Sequence, residues 1–400
     1  MSIADPGASL SSPARPSSPI LSGARDPRLD FFRGLAMFII LVAHTPGNFL
    51  TLWIPARFGF SDATEIFVFC SGMASAIAFG RVFRDRSFAM GTARVVYRIW
   101  QVYWAHICLF FATAAMLAWV DSTGQFERVF TARLNLLPFF DDNPAQQLVG
   151  LMTLTYVPNY FDVLPMYLVV LAMMPIVMAL SRISANAVFA FIGLVWLAAN
   201  LDLIWLPAEP WSDREWFFNP FGWQLIFFTG FAFIMGWLPT PPVNRKLVSI
   251  ALAFVILTIP FAYFRIHGQV EAIGEAREAI RFLWTKTDFG LFRYLHFLSV
   301  AYLAWAAVGP RGARLIPKTE SVLADLWMVI LNAILKVGQQ SLAVFVFSMF
   351  LAQAHGVLLD AIGRTTLTVW LVNLWGFFLL VVCAHTAAWF KGQPWRKKPA

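Results

Sequence analysis

Charged residues are scarce in this chain. Asp, Glu, Lys and Arg make up 13% of its 400 residues, whereas hydrophobic residues make up 59% and aromatic residues 16%. A soluble globular domain normally carries about 25% charged residues. The composition therefore excludes a soluble domain and indicates a polytopic membrane protein.

Cysteine is also rare, and its placement excludes two kinds of site. Cys70, Cys108 and Cys383 fall inside apolar stretches, with no CxxC spacing and no even-numbered set. Neither a disulfide scaffold nor a zinc site is indicated, and we expect no bound metal. The sequence also lacks a Walker loop, a GxGxxG motif and an HExxH motif, so nothing in it indicates nucleotide hydrolysis or zinc proteolysis.

Positive charge is in excess but is not concentrated on one segment. The formal net charge is +8, and the Arg and Lys residues stand mainly at the ends of apolar segments. This distribution is typical of topology signals rather than of a nucleic-acid-binding face. We therefore expect the lipid bilayer, and no nucleic acid, as a partner.

Apolar stretches of about 20 residues, the length that spans a bilayer, predict an all-α bundle of about ten transmembrane helices. They lie at about 31–50, 63–82, 95–119, 161–181, 186–206, 220–238, 247–265, 291–309, 339–358 and 366–389. If all of them cross, the basic clusters share one side, which places both termini in the cytoplasm. The predicted organisation is a disordered cytoplasmic tail at 1–27, a membrane domain at 28–390 and a basic cytoplasmic tail at 391–400.

One further apolar segment has two interpretations. The segment 320–337, ESVLADLWMVILNAILKV, is interrupted by Asp325, Asn332 and Lys336. It could be an amphipathic surface helix or an eleventh crossing. We favour the surface helix, because an extra crossing would place the basic C terminus outside.

The first predicted span, DFFRGLAMFIILVAHTPGN, contains two ionisable residues, Arg33 and His44. An arginine at the centre of a membrane helix costs roughly 2.5 to 3.5 kcal/mol, so such residues usually mark function. Helical geometry places these two within about 20° of one face and about 16 Å apart along the axis. Alternatively, Arg33 extends to the membrane interface and His44 only hydrogen-bonds a neighbouring helix.

The second span begins with two carboxylates, Asp62 and Glu65, one helical turn apart. Because the first span runs outward and the second runs back, one of them could meet the imidazole of the first span and raise its basicity. Asp62 could equally cap the helix. Further along, Gly72, Ala76 and Gly80 form a ridge of small residues, which predicts close approach of a neighbouring helix.

The third span begins with Arg94 and Arg98, one helical turn apart, and His106 follows deeper in the span. Two arginines in this arrangement can bind phosphate through forked donors. They could equally anchor the helix at the cytoplasmic interface. This stretch alone favours neither interpretation.

Several of these motifs together resemble a known family. Arg33 with His44, the block FVFCSG, and Arg94 with Arg98 and Ile99 resemble the membrane-bound acyltransferase-3 superfamily. The stretches RLDFFRGLAMFII, GFSDATEIFVFCSG, FDVLPMYLVVLAMMP, FNPFGWQLIFFTG and GQQSLAVFVF resemble its OpgC branch, over about 28–390. The superfamily often has FFVLSG where this chain has cysteine in place of the leucine.

This resemblance implies an enzyme of the bacterial inner membrane that transfers succinyl groups to osmoregulated periplasmic glucans. It implies that His44 is the catalytic histidine and that Arg33 is its partner on the donor side. Members of similar families also carry polar residues at positions that correspond to Asp162, Asn219, Gln224, Arg293 and His296 of this chain. We predict that these residues bind substrate.

A reaction across the bilayer follows from these assignments. Arg33, Arg94 and Arg98 would hold the phosphates of an acyl-CoA. The resemblance implies succinyl-CoA, which would bind as a co-substrate rather than as a permanent cofactor. His44, supported by Glu65 or Asp62, would take the proton from a hydroxyl of the periplasmic glucan. A histidine with an ordinary pKa of about 6.5 suits a general base at neutral pH.

Other functions stay open from the sequence. The same residues would serve an O-acetyltransferase for another envelope polysaccharide. A transporter or flippase would use intramembrane His, Arg and acidic residues as a proton or substrate path. A subunit that only anchors a glucan-synthesis complex is a third alternative.

The outer aromatic residues Trp211, Trp216, Trp223 and Tyr160 fit either a sugar-binding mouth or an ordinary aromatic belt. The oligomeric state is not predicted.

Overall fold

A computed structural model describes residues 26–140, 143–319 and 321–396. Within these ranges the chain is helical, and its one extended pairing is an isolated bridge between Pro207 and Glu215. The predicted all-α fold is therefore confirmed. Most of the predicted N-terminal tail and the last four residues lie outside the described ranges.

Eleven long helices make up most of the described chain. They are α1 (Pro27–His44), α2 (Ala63–Asp85), α3 (Phe88–Ser122), α4 (Val163–Leu180), α5 (Ala185–Asn200), α6 (Pro220–Met235), α7 (Arg245–Ala262), α8 (Leu291–Val308), α9 (Val322–Gln339), α10 (Ser341–Ile362) and α11 (Thr366–Gly392). A π-helical turn, Ala76–Gly80, interrupts α2. Short α-helical or 3₁₀ segments lie at Phe49–Trp53, Pro55–Arg57, Phe130–Arg133, Leu137–Phe140, Pro144–Thr153, Phe264–His267, Glu271–Ala279, Arg281–Trp284 and Pro310–Gly312.

Eight of the described helices are long and apolar enough to cross a membrane: α2, α3, α4, α7, α8, α9, α10 and α11. The apolar helices α5 and α6 have 16 residues each. α1 has 18 residues and carries Arg28, Asp30 and Arg33. Length and composition thus establish a membrane protein, but they do not establish the predicted count of ten.

Capping residues determine where α1 and α2 begin. Asp26 accepts a hydrogen bond from the Arg28 amide at 3.0 Å, and Pro27 occupies the first position of α1. At α2, Asp62 accepts from Thr64 N at 2.6 Å, and Glu65 accepts from Asp62 N at 2.7 Å. This capping box satisfies amides that the first turn would leave unpaired. Asp62 therefore caps α2, which is the simpler of the two roles that the sequence indicated for it.

Small residues allow α2 and α6 to cross closely. A Cβ atom built on Gly72 would lie 1.9 Å from the carbonyl oxygen of Phe227, and one on Gly230 would lie 2.3 Å from that of Phe69. A Cβ atom on Gly80 would lie 2.5 Å from the side-chain sulfur of Met235, the last residue of α6. The predicted ridge on α2 is confirmed, and its partner is α6.

Burial separates the centre of the bundle from its periphery. Most of the span in α4 is buried within the protein, as is the wall of aromatic residues on α6. α7, by contrast, is mostly exposed, with Ile250, Leu252, Ile256 and Leu257 at its surface. Exposed apolar helices of this kind suit contact with lipid.

The bundle has two ends, named here by α1: the inner end carries Pro27 and the outer end carries His44. α9 contacts the inner end at two points along its length. Trp327 donates from its indole N–H to Leu315 O at 2.6 Å, and Leu315 clusters with Phe31 of α1. Gly338, about 16 Å further along α9, packs against the carbonyl of Asp30. α9 therefore runs across the inner end, which favours the surface helix although its composition would allow a crossing.

Candidate functional site

A cavity of about 920 Å³ lies between α1, α2, α3, α10 and α11, with one residue each of α4 and α9 in its wall. Its cationic lining residues are Arg33, Arg94, Arg98 and Lys391. Among the residues that the structure describes, no acidic side chain lines this cavity. The structure thus brings together the three arginines that the sequence assigned to the donor, and it adds a lysine from the C-terminal helix.

One face of α3 forms the longest wall of this cavity. The lining residues Arg94, Arg98, Gln101, Ala105, Cys108 and Ala112 alternate in steps of four and three residues. Such spacing keeps side chains on one side of a helix, and it extends this wall over about 27 Å. The wall changes from cationic to apolar along its length, and Val346, Phe347 and Phe350 of α10 face the apolar part.

Neutral groups hold two of the arginines. Arg33 donates from Nη2 to the hydroxyl of Ser341, and its Nε is buried without a hydrogen-bond partner among the described residues. Arg98 donates from Nη1 to Gln101 Oε1 at 3.2 Å. Because no described carboxylate forms an ion pair with either arginine, both retain positive charge for an anion in the cavity.

His44 ends α1 at the outer end of the bundle. Its Nδ1 lies 2.9 Å from the carbonyl oxygen of Ile40, one turn earlier. A carbonyl only accepts, so Nδ1 carries the hydrogen and Nε2 of the neutral ring carries the lone pair. Nε2 has no hydrogen-bond partner among the described residues. His44 thus has the tautomer that a general base requires.

Tyr160 connects His44 with the wall of the cavity. Its ring meets the imidazole edge to face, with centroids 5.4 Å apart. Its hydroxyl donates to the carbonyl of Met349 at 2.5 Å, and the next residue, Phe350, lines the apolar end of the cavity. His44 itself is not a lining residue. The apolar end of the cavity therefore approaches His44 through Tyr160 and α10.

Four charged residues form a cluster near His44 at the start of α2. Lys286 Nζ lies 2.6 Å from Asp62 Oδ2, and Arg293 Nη1 lies 2.7 Å from Glu65 Oε1. Lys286 and Asp62 are close enough to act electrostatically on His44. Neither carboxylate hydrogen-bonds the imidazole, however, because both are engaged by the helix cap and by the cations. The expected carboxylate–imidazole contact is absent, and the Ile40 carbonyl holds the ring instead.

The five predicted substrate-binding residues are buried and do not line the cavity. Asp162 accepts from Phe217 N, Asn219 donates to Asp288, Gln224 donates to the Ile192 carbonyl, Arg293 pairs with Glu65, and His296 hydrogen-bonds Ser61. Each contact joins separate segments of the chain and thus has a structural role. Their substrate-binding roles stay predictions.

Sequence reasoning missed several residues of the site. Gln101 could have been found, because it continues the spacing of Arg94 and Arg98 on α3. Ser341 and Lys391 carry no local signal, since distant helices bring them to the cavity.

Of the outer tryptophans, Trp216 and Trp223 are buried and donate their indole N–H groups to backbone carbonyls, which makes them unavailable to a sugar. Among the described residues, no group of three His, Cys, Asp or Glu could hold a metal ion.

The apolar helices and the polar residues enclosed between them are those of an integral membrane protein with an internal cationic cavity. Residues 25–392 match the family model described as OpgC protein. The chain therefore belongs to the OpgC family, as the sequence motifs predicted. The relationship to the wider acyltransferase-3 superfamily stays a prediction. No curated protein and no solved structure matches the chain.

Proposed function

We propose that this protein is an integral membrane acyltransferase that moves an acyl group, succinyl by family resemblance, from a cytoplasmic acyl-CoA to a hydroxyl of a periplasmic glucan. Membership of the OpgC family supports a transferase that modifies glucan. The observation that carries the proposal is the cavity, where Arg33, Arg94, Arg98 and Lys391 meet and no described acidic residue is part of the lining. Such a cluster suits the phosphates of coenzyme A.

The apolar part of the cavity suits the rest of the donor. Cys108 lies about 15 Å further along α3 than Arg98, on the same lined face. A donor held by its phosphates at the inner end would extend its arm past Cys108 towards Phe350. Its thioester would then approach His44 from within the bundle, while a glucan hydroxyl reaches His44 from the outer end.

His44 would catalyse the transfer as a general base. Its Nε2 takes the proton of the sugar hydroxyl as that oxygen attacks the thioester carbonyl. The tetrahedral intermediate then collapses, the carbon–sulfur bond breaks, and the imidazolium returns the proton to the departing thiolate. The products are the acyl ester of the glucan and free coenzyme A, and His44 is neutral again.

Contacts between helix ends support ten crossings with both termini in the cytoplasm of a bacterial inner-membrane protein. Arg33 meets Ser341, and Lys391 Nζ meets Gln340 at 2.6 Å, at the inner end. At the outer end, Asn200 hydrogen-bonds the backbone of Asp288. With α9 lying across the inner end, α1 to α8, α10 and α11 alternate in direction. The basic segments then share the cytoplasmic side.

Alkylation of Cys108 tests whether the cavity binds the donor. A water-soluble maleimide should label Cys108, which is exposed in the cavity wall. Desulfo-coenzyme A, which lacks the thiol that would itself react with maleimide, should slow that labelling. Mass spectrometry of the Cys108 peptide separates it from Cys70 and Cys383. Arg98→Gln should reduce the protection. Absence of protection at saturating desulfo-coenzyme A in the wild-type protein would contradict a donor site in this cavity.

Activity assays with two acyl-CoA donors distinguish the proposed function from its alternatives. Succinyl-CoA and acetyl-CoA would distinguish a succinyltransferase from an O-acetyltransferase with the same site. A transporter or flippase would move its substrate without forming an ester, so the appearance of acylated glucan separates an enzyme from that class.

A further inference from the structure

The turn that follows His44 is held by a side chain from a distant part of the sequence. Arg364 donates from Nη1 to Pro46 O at 2.5 Å, from Nη2 to Gly356 O at 3.0 Å, and from Nε to Asp360 Oδ1 at 2.7 Å. Pro46 is two residues after His44, whereas Gly356 and Asp360 lie in the last turns of α10. One guanidinium therefore joins the end of α1 to the end of α10.

Two glycines make this contact possible. Gly47 has φ +68°, and a Cβ atom there would lie 2.5 Å from Arg364 Nη1. A Cβ atom on Gly356 would lie 2.8 Å from the ring of Pro46. Any larger side chain at Gly47 would adopt a strained backbone conformation and also displace the guanidinium. The turn is thus shaped for Arg364.

A buried amide pair holds the other side of the same turn. Asn48 Nδ2 donates to Asn373 Oδ1 of α11 at 2.9 Å and lies 3.2 Å from the Val42 carbonyl. Both asparagines are buried. Residues 45–48 are therefore fixed to α10 and to α11, although the His44 ring itself is hydrogen-bonded only to its own helix. The location of the imidazole depends on where this turn holds the end of α1.

We propose that Arg364 is a positioning residue for His44: it fixes the turn 45–48 on α10 and thereby keeps the imidazole in the place where acyl transfer requires it. This inference rests on the proposed function for its catalytic consequence. Displacing a reacting group by about 1 Å can reduce a rate by about 10²-fold. Loss of the Arg364 contacts should therefore lower turnover while leaving the donor cavity, at the other end of α1, unchanged.

A matched pair of glycine variants tests the proposal. Gly47→Ala disturbs Arg364 and introduces alanine at positive φ, whereas Gly124→Ala introduces alanine at φ +64° where nothing lies within 4 Å. Gly47→Ala should lower kcat at least about tenfold, with unchanged KM for acyl-CoA and unchanged protection of Cys108 by desulfo-coenzyme A. Gly124→Ala should retain wild-type turnover. Arg364→Lys should behave like Gly47→Ala, because lysine keeps the charge opposite Asp360 but lacks the fork that reaches both carbonyls.

A second readout does not depend on acylation. Diethyl pyrocarbonate modifies accessible imidazoles, and mass spectrometry can compare His44 with His267 in the same molecule. Modification of His44 relative to His267 should become faster in Gly47→Ala and Arg364→Lys, and should not change in Gly124→Ala. An unchanged His44 rate overturns the positioning role whether or not turnover falls. If the wild-type protein proves unable to acylate glucan, the proposed function fails, and this rate still decides whether Arg364 holds His44.

Discussion

Arg33 retains its charge inside the bundle with a serine hydroxyl as its hydrogen-bond partner, rather than with a carboxylate. Asp62 and Glu65, in contrast, each have a cation within hydrogen-bond distance. The site therefore separates an end where Arg33 and Arg98 have no carboxylate partner among the described residues from an end where carboxylates and cations are paired. This division is consistent with an anionic donor and a neutral sugar acceptor.

Arg98→Lys tests phosphate binding at the residue scale. Lysine keeps the charge that orients the helix but cannot form a two-donor fork. We expect the apparent KM for acyl-CoA to rise about tenfold, which corresponds to about 1.4 kcal/mol, with normal insertion. Arg84→Lys is the matched control, since Arg84 pairs with Asp85 at the surface and does not line the cavity. Equal KM values for both variants would mean that Arg98 is only an interfacial anchor.

Glu65→Gln separates a structural from a catalytic role for that carboxylate. Glu65 is fully buried, and removing its charge leaves Arg293 without an anionic partner. Breaking such a pair costs about 3 to 5 kcal/mol, so thermal unfolding in detergent should occur at a clearly lower temperature. Glu278→Gln removes the charge of a carboxylate that is exposed in its pair with Arg277, so it should change stability by less than about 1 kcal/mol. Unchanged stability with lost turnover in Glu65→Gln would instead support direct catalysis.

At the scale of helices, the local sequence pattern predicted a close packing surface that apolar runs alone do not reveal. The ridge containing Gly72 was visible on α2, because small residues recur every fourth position. Its partner α6 could not be predicted, since nothing in a sequence of apolar residues says which helices meet. For the same reason Ser341 and Lys391 were missed. Arg33, Arg94 and Arg98 were expected together only because the family resemblance gave them a common role in donor binding.

Gly72→Ala tests the close crossing of α2 and α6. The added methyl group would meet the Phe227 backbone, which cannot move as a flexible side chain can. Overpacking of this kind costs about 1 to 3 kcal/mol, and we expect a lower unfolding temperature in detergent. Gly193→Ala, in α5 with nothing within 4 Å of the new atom, should be neutral or slightly stabilising. Equal unfolding temperatures for the two variants would show that the helices do not approach so closely.

For the whole molecule, the positive-inside pattern predicted an orientation that length and composition alone do not provide. α9 illustrates the limit. Its apolar length suits a crossing, and only its contacts with the inner end of α1 favour a surface helix. A pattern of hydrophobicity does not distinguish a helix that lies across the bundle from one that runs through it.

Topology reporters at three positions test this arrangement. Fusions at Lys318 and Lys391 should both report the cytoplasm, because α9 does not cross between them, and a fusion at Gly124 should report the periplasm. If α9 crossed, Lys318 and Lys391 would report opposite sides. That result would contradict the ten-crossing arrangement.

The central proposal is that the protein transfers an acyl group from a donor on the cytoplasmic face to a glucan on the other face, with His44 as the general base. Sealed inside-out membrane vesicles can contain glucan in their lumen and receive labelled succinyl-CoA only outside. Lumenal glucan should become labelled with the wild-type protein. It should stay unlabelled with His44→Gln, which can hydrogen-bond but cannot accept a proton at neutral pH, while desulfo-coenzyme A still protects Cys108. Labelling by His44→Gln at the wild-type rate would contradict the account.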